Sequence, residues 1–465
     1  MKINKDVFRT YDIRGLTSDI RPDFAYNLGR ALAHFWSQSP LAAGLEHKVA
    51  VGYDARESSP QLAHALMEGF ALCKWSAVSL GLVPTPVVYY SSVKTESPFG
   101  VVVTASHNPA EYNGFKLCVR GQASTTQEMQ ELYHWMTSHS VSYKHSNASF
   151  PLASTAQEYL RFLNQQILAS VADRSRKLKV VVDCGNGSAG PIAVSLYRAT
   201  GHDIIPLFEK PDGRFPNHHP DPSDEKNLND LREAIAKNSA DFGLALDGDG
   251  DRLGLLLRDG KIVYGDQLLL LFASEVLPRH PGATIITEVK ASQAVLDELE
   301  RLGGKPLVWK TGHSLIKAKM KETRCPVAGE MSGHFFFSDN YLGFDDALYA
   351  GLRVILWAQR KENQLSSFFE KLPKLCSTPE IRIDCADSVK FVVVKKIVDH
   401  FSREFDVNTI DGARISFSDG AWGLVRASNT QPALVLRFEA RDAATLKSIR
   451  ENVEAHLNEV MRTCR

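Results

Sequence analysis

Three aspartates alternate with glycines in Asp247-Gly-Asp-Gly-Asp251, directly after the apolar run 242–246. Three adjacent carboxylates repel one another, and their oxygens suit a hard divalent cation. The segment does not match an EF-hand, because Arg252 and Arg258 stand where that loop requires glycine and glutamate. Three protein ligands leave room for water and a phosphate oxygen, which favours Mg²⁺. A plain acidic surface turn is the alternative.

A second polar turn, Thr104-Ala-Ser-His-Asn-Pro109, follows the apolar run 99–103. It places Ser106 at the exit of a buried strand. The turn lacks the G-x-S-x-G spacing of an acyl-transfer serine and the G-x-x-x-x-G-K-[ST] spacing of a P-loop. Taken alone, it is equally compatible with a satisfied serine in an ordinary turn.

Two further turns contain groups that bind phosphates. Cys184-Gly-Asn-Gly-Ser-Ala-Gly190 satisfies G-x-G-x-x-G between a strand and a helix, with Glu209 as a candidate ribose-binding acid. That pattern is typical of dinucleotide-dependent oxidoreductases, although tight strand-to-helix turns favour glycine for structural reasons, which is the interpretation we prefer. Arg426-Ala-Ser-Asn-Thr-Gln-Pro432 offers a guanidinium, hydroxyls and backbone N–H groups, either as a phosphate cradle or as a capping turn.

Composition sets limits on the class of protein. The chain has 465 residues, of which 44% are hydrophobic and 23% charged, a length and composition typical of several globular domains. Lysine plus arginine and aspartate plus glutamate both number 54, so we expect no nucleic-acid partner. No apolar run reaches the roughly 18 residues of a membrane span, and the first residues do not resemble a signal peptide. The seven scattered cysteines indicate a reducing cytoplasm.

Short β-branched runs alternate with amphipathic stretches, which predicts parallel sheets with right-handed crossovers. The predicted strand-and-helix couplets are 48–54 with 60–75, 178–183 with 190–200, and 283–289 with 291–302.

A polar loop follows a central strand three times along the chain. The loops are 104–109, 247–252 and 329–334, and each is followed by another apolar run. We interpret them as three copies of one α/β unit with loops at the carboxyl ends of the strands, where such sheets bind ligands.

The sequence pattern changes after Pro373. Strands at 381–384, 391–394 and 433–438 and helices near 391–404 and 442–461 predict a small α+β domain. The segment 120–150 is expected to end the first domain.

Several motifs together resemble the α-D-phosphohexomutase superfamily, most closely its bacterial phosphomannomutase/phosphoglucomutase group. They occur in family order over most of the chain: Tyr11-Asp-Ile-Arg-Gly15, Thr104 to Pro109, Asp247 to Arg252, Lys310-Thr-Gly-His-Ser314, Gly329-Glu-Met-Ser-Gly-His334 and Arg426 to Thr430. The resemblance implies an α/β fold of four domains around a central cleft, three with a repeated mixed-sheet topology and a C-terminal α+β domain. We expect their boundaries at 1–152, 153–259, 260–372 and 373–465.

The resemblance also implies a phosphoserine mechanism. Ser106 would exchange a phosphoryl group with a hexose phosphate by way of a 1,6-bisphosphosugar. Mg²⁺ would be held by Asp247, Asp249, Asp251 and a phosphate oxygen on Ser106. Lys116 is the candidate proton shuttle, with His334 as a second candidate, and a lysine needs a lowered pKa for that role.

The remaining implied roles concern binding. Arg14 and His107 would line the transferring phosphate, Arg252 would hold the sugar, and Glu330 and Ser332 would face its O3 and O4, which glucose and mannose present alike. A clamp for the other phosphate would consist of Arg426, Ser428, Asn429 and Thr430, assisted by Lys290 and His313. Tyr11 and Gly312 complete the expected substrate-binding set.

The function expected from the resemblance is interconversion of hexose 1- and 6-phosphates of mannose and glucose, with Mg²⁺ as cofactor and glucose 1,6-bisphosphate as activator. We expect a cytoplasmic monomer without a nucleic-acid or membrane partner. A mutase restricted to glucose or glucosamine phosphate is the nearest alternative, and an oxidoreductase using Gly185 to Gly190 is the alternative from another class.

Overall fold

The computed structural model describes residues 3–39, 47–95, 97–170, 177–361, 364–429 and 431–464. The chain divides into two compact units. The first unit comprises Met1–Leu268 and Ser332–Ser366, and the second comprises Leu269–Met331 and Ser367–Arg465. No helix in the described ranges is both long and apolar enough to cross a bilayer.

The first sheet of the first unit mixes parallel and antiparallel strands. Its strands are β1 (Ile13–Leu16), β2 (Lys48–Tyr53), β3 (Ser76–Leu82), β4 (Phe99–Val103), β5 (Tyr112–Val119) and β6 (Gln122–Ala123). Its helices are α1 (Pro22–Ser37), α2 (Ser59–Leu72), α3 (Thr85–Lys94) and α4 (Thr126–His139). The order is β1-β5-β4-β2-β3, with β6 beside β5. Strands β4, β2 and β3 are parallel, and β5 is antiparallel to β4 and β1.

Helix α4 lies inside the segment that was expected only to end the first domain. A reciprocal capping box starts it, in which Thr125 Oγ1 accepts from the Glu128 N–H and the Glu128 carboxylate accepts from the Thr125 N–H. The polar composition of 120–150 concealed this helix, because only Met129, Leu132 and Met136 are buried along it.

The second sheet of the first unit repeats the same pattern. Its strands are β7 (Lys179–Asp183), β8 (Asp203–Leu207), β9 (Phe242–Leu246), β10 (Leu253–Leu257) and β11 (Ile262–Val263). The helices around it are α5 (Thr155–Ser170), α6 (Gly190–Arg198) and α7 (Asn229–Asn238), and α8 (Gly265–Val276) follows as the chain passes into the second unit. The order is β11-β10-β9-β7-β8, with β9, β7 and β8 parallel. Strands β4 and β9 are buried along their whole length, which explains their continuous apolar sequences.

A third set of parallel strands lies in the second unit. The strands are β12 (Thr284–Glu288), β13 (Lys305–Trp309) and β14 (Val327–Gly329), and their helices are α9 (Gln293–Arg301) and α10 (His313–Thr323). The order β14-β12-β13 matches β4-β2-β3 and β9-β7-β8, so the predicted threefold repeat is confirmed. The chain continues with β15 (Phe335–Phe337), α11 (Ala347–Arg360) and α12 (Leu365–Phe369).

The C-terminal part of the second unit is an antiparallel sheet with two helices. Its strands are β16 (Cys376–Ser377), β17 (Ile381–Asp384), β18 (Asp406–Asn408), β19 (Ala413–Ser416), β20 (Trp422–Ala427) and β21 (Ala433–Ala440). Its helices are α13 (Lys390–Phe401) and α14 (Ala443–Thr463). The order is β16-β21-β20-β19-β18, and β17 also pairs with β21. The predicted α+β domain is confirmed.

The predicted strand at 391–394 is wrong, because these residues belong to α13. Three consecutive valines favour a strand locally. In the structure Val393, Val394 and Ile397 are buried at helical spacing, whereas Phe391 is 63% exposed. Packing against the sheet therefore decides the conformation over local propensity.

Candidate active site

The acidic loop begins where the buried strand β9 ends. Asp247, Asp249 and Asp251 are fully buried, and one oxygen of each lies within 4.8 Å of the others. Gly248 is required by close packing, because a Cβ there would lie 2.6 Å from the backbone oxygen of Ser106. Gly250 has φ +76°, a conformation that favours glycine. The two glycines thus allow the chain to bring three carboxylates together.

Ser106 reaches this loop from the first sheet. Its φ of +51° is unusual for a residue with a side chain and turns the serine out of the strand exit. Its Oγ donates to Asp247 Oδ2 at 2.9 Å and lies 3.1 Å from His107 Nδ1. Burial, followed by the positive charge of Arg252, holds the pKa of His107 well below its ordinary value. A neutral imidazole therefore stands beside the serine.

The three carboxylates fit a divalent cation. Asp249 Oδ2 accepts from Thr85 Oγ1 at 2.6 Å and from Lys116 Nζ at 2.6 Å. Asp249 Oδ1 is buried and receives no hydrogen bond from any described residue. A buried carboxylate oxygen without a donor is strongly destabilising unless a cation or proton satisfies it.

Lys116 is the cationic partner of the acidic loop. Its Nζ donates to Asp249 and also to Asp251 Oδ2. Burial acts to lower its pKa, but the charges of Asp249 and Asp251 outweigh burial and hold the pKa above its ordinary value. The lowered pKa that a proton shuttle requires therefore depends on another cation taking over the carboxylate charge.

His334 joins the acidic loop to the residues that follow β14. Its Nε2 lies 3.4 Å from Asp251 Oδ1 and 3.4 Å from Arg252 Nε. Its Nδ1 lies 3.1 Å from Ser332 Oγ. His334, Arg252 and Ser332 therefore form one connected group with Asp251.

Arg14 contacts the serine loop at Asn108 and not at Ser106 itself. It donates at 2.7 Å to Asn108 Oδ1 and forms a 2.7 Å ion pair with Asp12. Tyr11 is close enough to interact electrostatically with the Arg14 guanidinium. Arg14 thus lies beside the loop that carries Ser106 and His107.

Arg56 is a buried residue of the serine loop that sequence reasoning missed. It forms a 3.0 Å ion pair with Asp54, and both side chains are almost fully buried. Its guanidinium donates to the carbonyl oxygens of Ser106 at 2.8 Å and Asn108 at 2.6 Å, and to two more carbonyls at Pro109 and Tyr112. The position just after strand β2 was the available signal, since charges rarely stand there without a partner.

The glycine-rich turn after β7 has a structural role. The Ser188 N–H donates to the Gly248 carbonyl at 3.0 Å, and a Cβ on Gly187 would lie 2.7 Å from that same oxygen. A Cβ on Gly190 would lie 2.2 Å from the Glu209 carbonyl. The turn packs against the acidic loop, so its glycines are explained without a dinucleotide.

In the second unit, Glu288 joins several of the predicted binding loops. This fully buried carboxylate accepts from Thr311 Oγ1 at 2.9 Å, from the Lys290 N–H at 2.9 Å and from the Met331 N–H at 3.4 Å. Glu330 accepts from the Gly312 N–H at 2.7 Å. Sequence reasoning missed Glu288, whose signal was a carboxylate at the end of strand β12.

Lys290 and His313 are both buried in the second unit. Lys290 Nζ lies 3.0 Å from a carboxylate oxygen of Glu380 and 3.6 Å from one of Glu288. The charges of Glu288 and Glu380 outweigh burial, so the pKa of Lys290 is raised. His313 is the first residue of α10 and directly follows Gly312.

The C-terminal loop has a donor suited to an anion. Arg426 Nε donates to Asp411 Oδ2 at 2.9 Å, whereas its Nη2 is buried without an acceptor among the described residues. Asn429 Nδ2 donates to the Thr311 carbonyl at 3.0 Å, and Ser428 Oγ accepts from the Gln431 N–H at 3.2 Å. Thr430, the fourth predicted residue of this clamp, lies outside the described residues.

The predicted site residues thus form two groups, one in each unit. Glu330 and Ser332, predicted to face one side of a sugar, bond within different groups: Glu330 to the Gly312 N–H and Ser332 to His334.

Four family models, all described as phosphoglucomutase/phosphomannomutase, match most of the chain. Models of alpha/beta/alpha domains I, II and III match residues 5–140, 157–260 and 264–376, and the C-terminal domain model matches 380–456.

Relatives match over the full length. A phosphomannomutase/phosphoglucomutase of Pseudomonas putida is 44% identical over 96% of this chain and 94% of its own. A phosphoglucomutase of Neisseria gonorrhoeae is 39% identical over 97% of each chain. A crystal structure of a phosphoglucomutase/phosphomannomutase family protein from Burkholderia thailandensis has a TM-score of 0.89 and 39% identity, covering 100% of this chain and 99% of that one. The chain therefore belongs to the phosphoglucomutase/phosphomannomutase family of phosphohexomutases.

Proposed function

We propose that this enzyme interconverts the 1- and 6-phosphates of mannose and glucose through a phosphoserine at Ser106. The observation that carries the proposal is the 2.9 Å hydrogen bond from Ser106 Oγ to Asp247, within a buried loop of three carboxylates. The relative named phosphomannomutase/phosphoglucomutase, at 44% identity, supports this pair of sugars.

In the proposed reaction, phosphorylated Ser106 transfers its phosphoryl group to a hydroxyl of the sugar. The bond between Ser106 Oγ and phosphorus breaks as a sugar hydroxyl oxygen bonds to phosphorus. The sugar hydroxyl proton passes to Lys116 or His334, and Ser106 Oγ takes up a proton to become a free hydroxyl again. The 1,6-bisphosphosugar then turns over and returns its other phosphoryl group to Ser106. Asp247, Asp249 and Asp251 would hold Mg²⁺, whose charge would stabilise the transferring group.

In this proposal, hydrogen-bond donors of the first unit, some positively charged and some neutral, bind the transferring phosphate and the sugar. Arg14 and His107 line the transferring phosphate, Arg252 holds the sugar, and Tyr11 belongs to the substrate-binding set. The hydrogen bond from Arg14 to Asn108 and the neutral state of His107 support these roles.

The second unit supplies the groups for the non-transferring phosphate in this proposal. The buried Arg426 Nη2 is the donor with the strongest claim, since no described residue accepts its hydrogen bond. Ser428, Asn429 and Thr430 complete the clamp, and Lys290 and His313 assist it. Gly312 belongs to the substrate-binding set.

The sugar range follows from Glu330 and Ser332 in this proposal. Both would bond to O3 and O4, which mannose and glucose share, so the difference at O2 is tolerated. A mutase restricted to glucose or glucosamine phosphate is the narrower alternative. We also propose that the protein is a cytoplasmic monomer activated by glucose 1,6-bisphosphate. Its four domains would meet near residues 152, 259 and 372.

Phosphorus NMR tests the proposal. Protein, Mg²⁺ and a trace of glucose 1,6-bisphosphate are mixed with mannose 1-phosphate or glucose 1-phosphate, and the 6-phosphate signals are followed. We expect both sugars to convert at similar rates. Conversion of glucose alone would overturn the dual range. If neither sugar phosphate is converted although Ser106 is phosphorylated, the proposed activity on mannose and glucose phosphates is wrong, and glucosamine phosphate is assayed next.

A further inference from the structure

Two histidines and a glutamate converge on the surface of the first unit, and none of them takes part in the proposed phosphoryl transfer. His64 and Glu68 lie one turn apart on helix α2, and His145 lies in the extended segment that follows α4. One potential ligand atom of each lies within 4.8 Å of the others. Side chains four apart on a helix share a face and form a common bidentate metal-binding pair.

The hydrogen bonds of His64 fix which nitrogen faces the glutamate. His64 Nε2 lies 2.9 Å from the Ala148 carbonyl oxygen, and because a carbonyl only accepts, Nε2 carries the hydrogen. In the neutral ring, Nδ1 then presents a lone pair. Nδ1 is buried, and no described residue forms a hydrogen bond with it. A histidine that donates one ring N–H to a backbone carbonyl is already oriented for metal binding.

The geometry between His64 and Glu68 matches a zinc ion. His64 Nδ1 lies 3.4 Å from Glu68 Oε2, which is long for a hydrogen bond. Two tetrahedral ligands at about 2.0–2.1 Å from zinc lie about 3.3 Å apart. A lone pair and a carboxylate oxygen that face each other at this distance require a cation or a proton between them.

Tyr143 forms hydrogen bonds with the other two candidate ligands, Glu68 and His145. Its hydroxyl donates to Glu68 Oε2 at 2.6 Å. With its hydrogen used on Glu68, Tyr143 accepts from His145 Nδ1, 3.2 Å away. His145 Nε2 then presents a lone pair.

The second oxygen of Glu68 already has its donors. Oε1 accepts from the Ser146 N–H at 2.9 Å and from the Ser146 hydroxyl. Oε2 accepts from the Tyr143 hydroxyl and keeps a second lone pair for a cation. Tyr143, Ser146 and Ala148 of this segment form hydrogen bonds with His64 or Glu68.

We propose that His64 Nδ1, Glu68 Oε2 and His145 Nε2 bind a Zn²⁺ ion that fastens the segment 143–148 to helix α2. Two imidazoles and one carboxylate are typical zinc ligands and a poor set for Mg²⁺, which prefers oxygen ligands. Water completes the tetrahedron. The ion stabilises the attachment of the segment and has no part in phosphoryl transfer.

Counting bound zinc tests the proposal. Purified protein is loaded with ZnCl₂ in excess Mg²⁺, weakly bound metal is removed, and the remaining zinc is counted by a colorimetric chelator. We expect His145→Gln and His64→Gln to hold one equivalent less than wild type, whatever the aspartate loop binds. His134→Gln, which changes an exposed histidine on α4, should hold the wild-type amount. Equal zinc in wild type and both ligand variants would overturn the proposal.

Two further measurements keep the test decisive if a ligand variant folds poorly. Tyr143→Phe should raise the zinc dissociation constant by about tenfold, because it removes a hydrogen bond to a ligand. Zinc should also slow tryptic cleavage after the exposed Lys144 severalfold in wild type but not in His145→Gln. An unchanged constant in Tyr143→Phe, or zinc-independent cleavage of wild type, would reject the site.

Discussion

Lys116 Nζ donates to Asp249 Oδ2 at 2.6 Å and to Asp251 as well, so one buried ammonium neutralises part of a loop of three carboxylates. The pKa of Lys116 is above its ordinary value although burial lowers it, because the aspartates dominate. Lysine and a divalent cation therefore interact with the same negative charge. The charge of Lys116 must therefore weaken binding of the divalent cation, and the bound cation must lower the pKa of Lys116.

Lys116→Met should tighten Mg²⁺ binding and reduce turnover. Removing the ammonium leaves the carboxylates more negative, and a gain of about tenfold in affinity corresponds to about 1.4 kcal/mol. Calorimetric titration with Mg²⁺ measures the affinity, and Lys210→Met, which changes an exposed lysine, is the control. Weaker Mg²⁺ binding in Lys116→Met would contradict the shared-charge interpretation.

Ser106→Ala should reduce kcat by about 10⁴-fold or more, because the phosphoryl acceptor is lost. Mass spectrometry of the protein after incubation with glucose 1,6-bisphosphate should show a phosphorylated wild type and an unphosphorylated variant. Ser138→Ala on the exposed face of α4 should behave as wild type. Substantial turnover by Ser106→Ala would rule out the phosphoserine mechanism.

Arg56→Met should lower both stability and turnover. The variant leaves the buried Asp54 carboxylate unpaired, at about 3–5 kcal/mol in the free energy of unfolding. It also removes the donors to the Ser106 and Asn108 carbonyls. Arg56→Lys should recover part of the stability and less of the turnover, since lysine lacks the planar set of donors. Urea unfolding and kcat measure the two effects, and unchanged kcat in Arg56→Met would exclude a positioning role.

Gly248→Ala should reduce turnover through crowding. The new Cβ would lie 2.6 Å from the Ser106 carbonyl, so the serine loop or the acidic loop must shift. We expect a loss of about 1–3 kcal/mol in stability, as for overpacking, together with a fall in kcat. Gly282→Ala provides a comparison at a site with open space but positive φ, where strain acts without crowding. If kcat falls equally in both variants, crowding at the serine is not the cause.

The ion pair of Lys290 with Glu380 should make stability depend on acidic pH. The charge of Lys290 lowers the pKa of Glu380 to about 2, from an ordinary value of 4.5. The folded protein therefore binds this proton more weakly, and the stabilisation is complete above pH 4.5 and lost as pH falls toward 2. Glu380→Gln should remove up to about 3 kcal/mol at pH 7 and less at pH 3.

Urea unfolding of wild type and Glu380→Gln at pH 7 and pH 3 measures this difference. Glu322→Gln changes a glutamate that is 66% exposed in its ion pair with Lys319, and it should change stability by less than about 1 kcal/mol at either pH. A loss in Glu380→Gln that is the same at both pH values would refute the assignment of the shift to Glu380.

The site loops were predictable because each one is contiguous and follows an apolar strand directly. Three aspartates in five residues are recognisable from one short segment of sequence, and so is a serine directly after an apolar strand. That Ser106 and Asp247 share one site was expected only from the resemblance, and the structure supplies the 2.9 Å contact.

The partners of these groups were not predictable, because they lie far away in sequence. Arg56 contacts carbonyls about fifty positions further along the chain. Glu288 and Asp411 hold loops whose sequences give no sign of such a carboxylate. The valines of α13 show the opposite case, in which a clear local preference lost to tertiary packing.

The same three-strand order occurs three times, and each copy ends in a loop of different composition. One scaffold thus carries three different loops, so the roles of nucleophile, metal binding and sugar binding proposed for them are separable. Specificity could then be engineered by grafting residues 329–334 from a relative with another hexose preference, with the serine and aspartate loops left untouched. A modular arrangement of this kind would let the sugar preference change while the loops proposed for phosphoryl transfer stay the same.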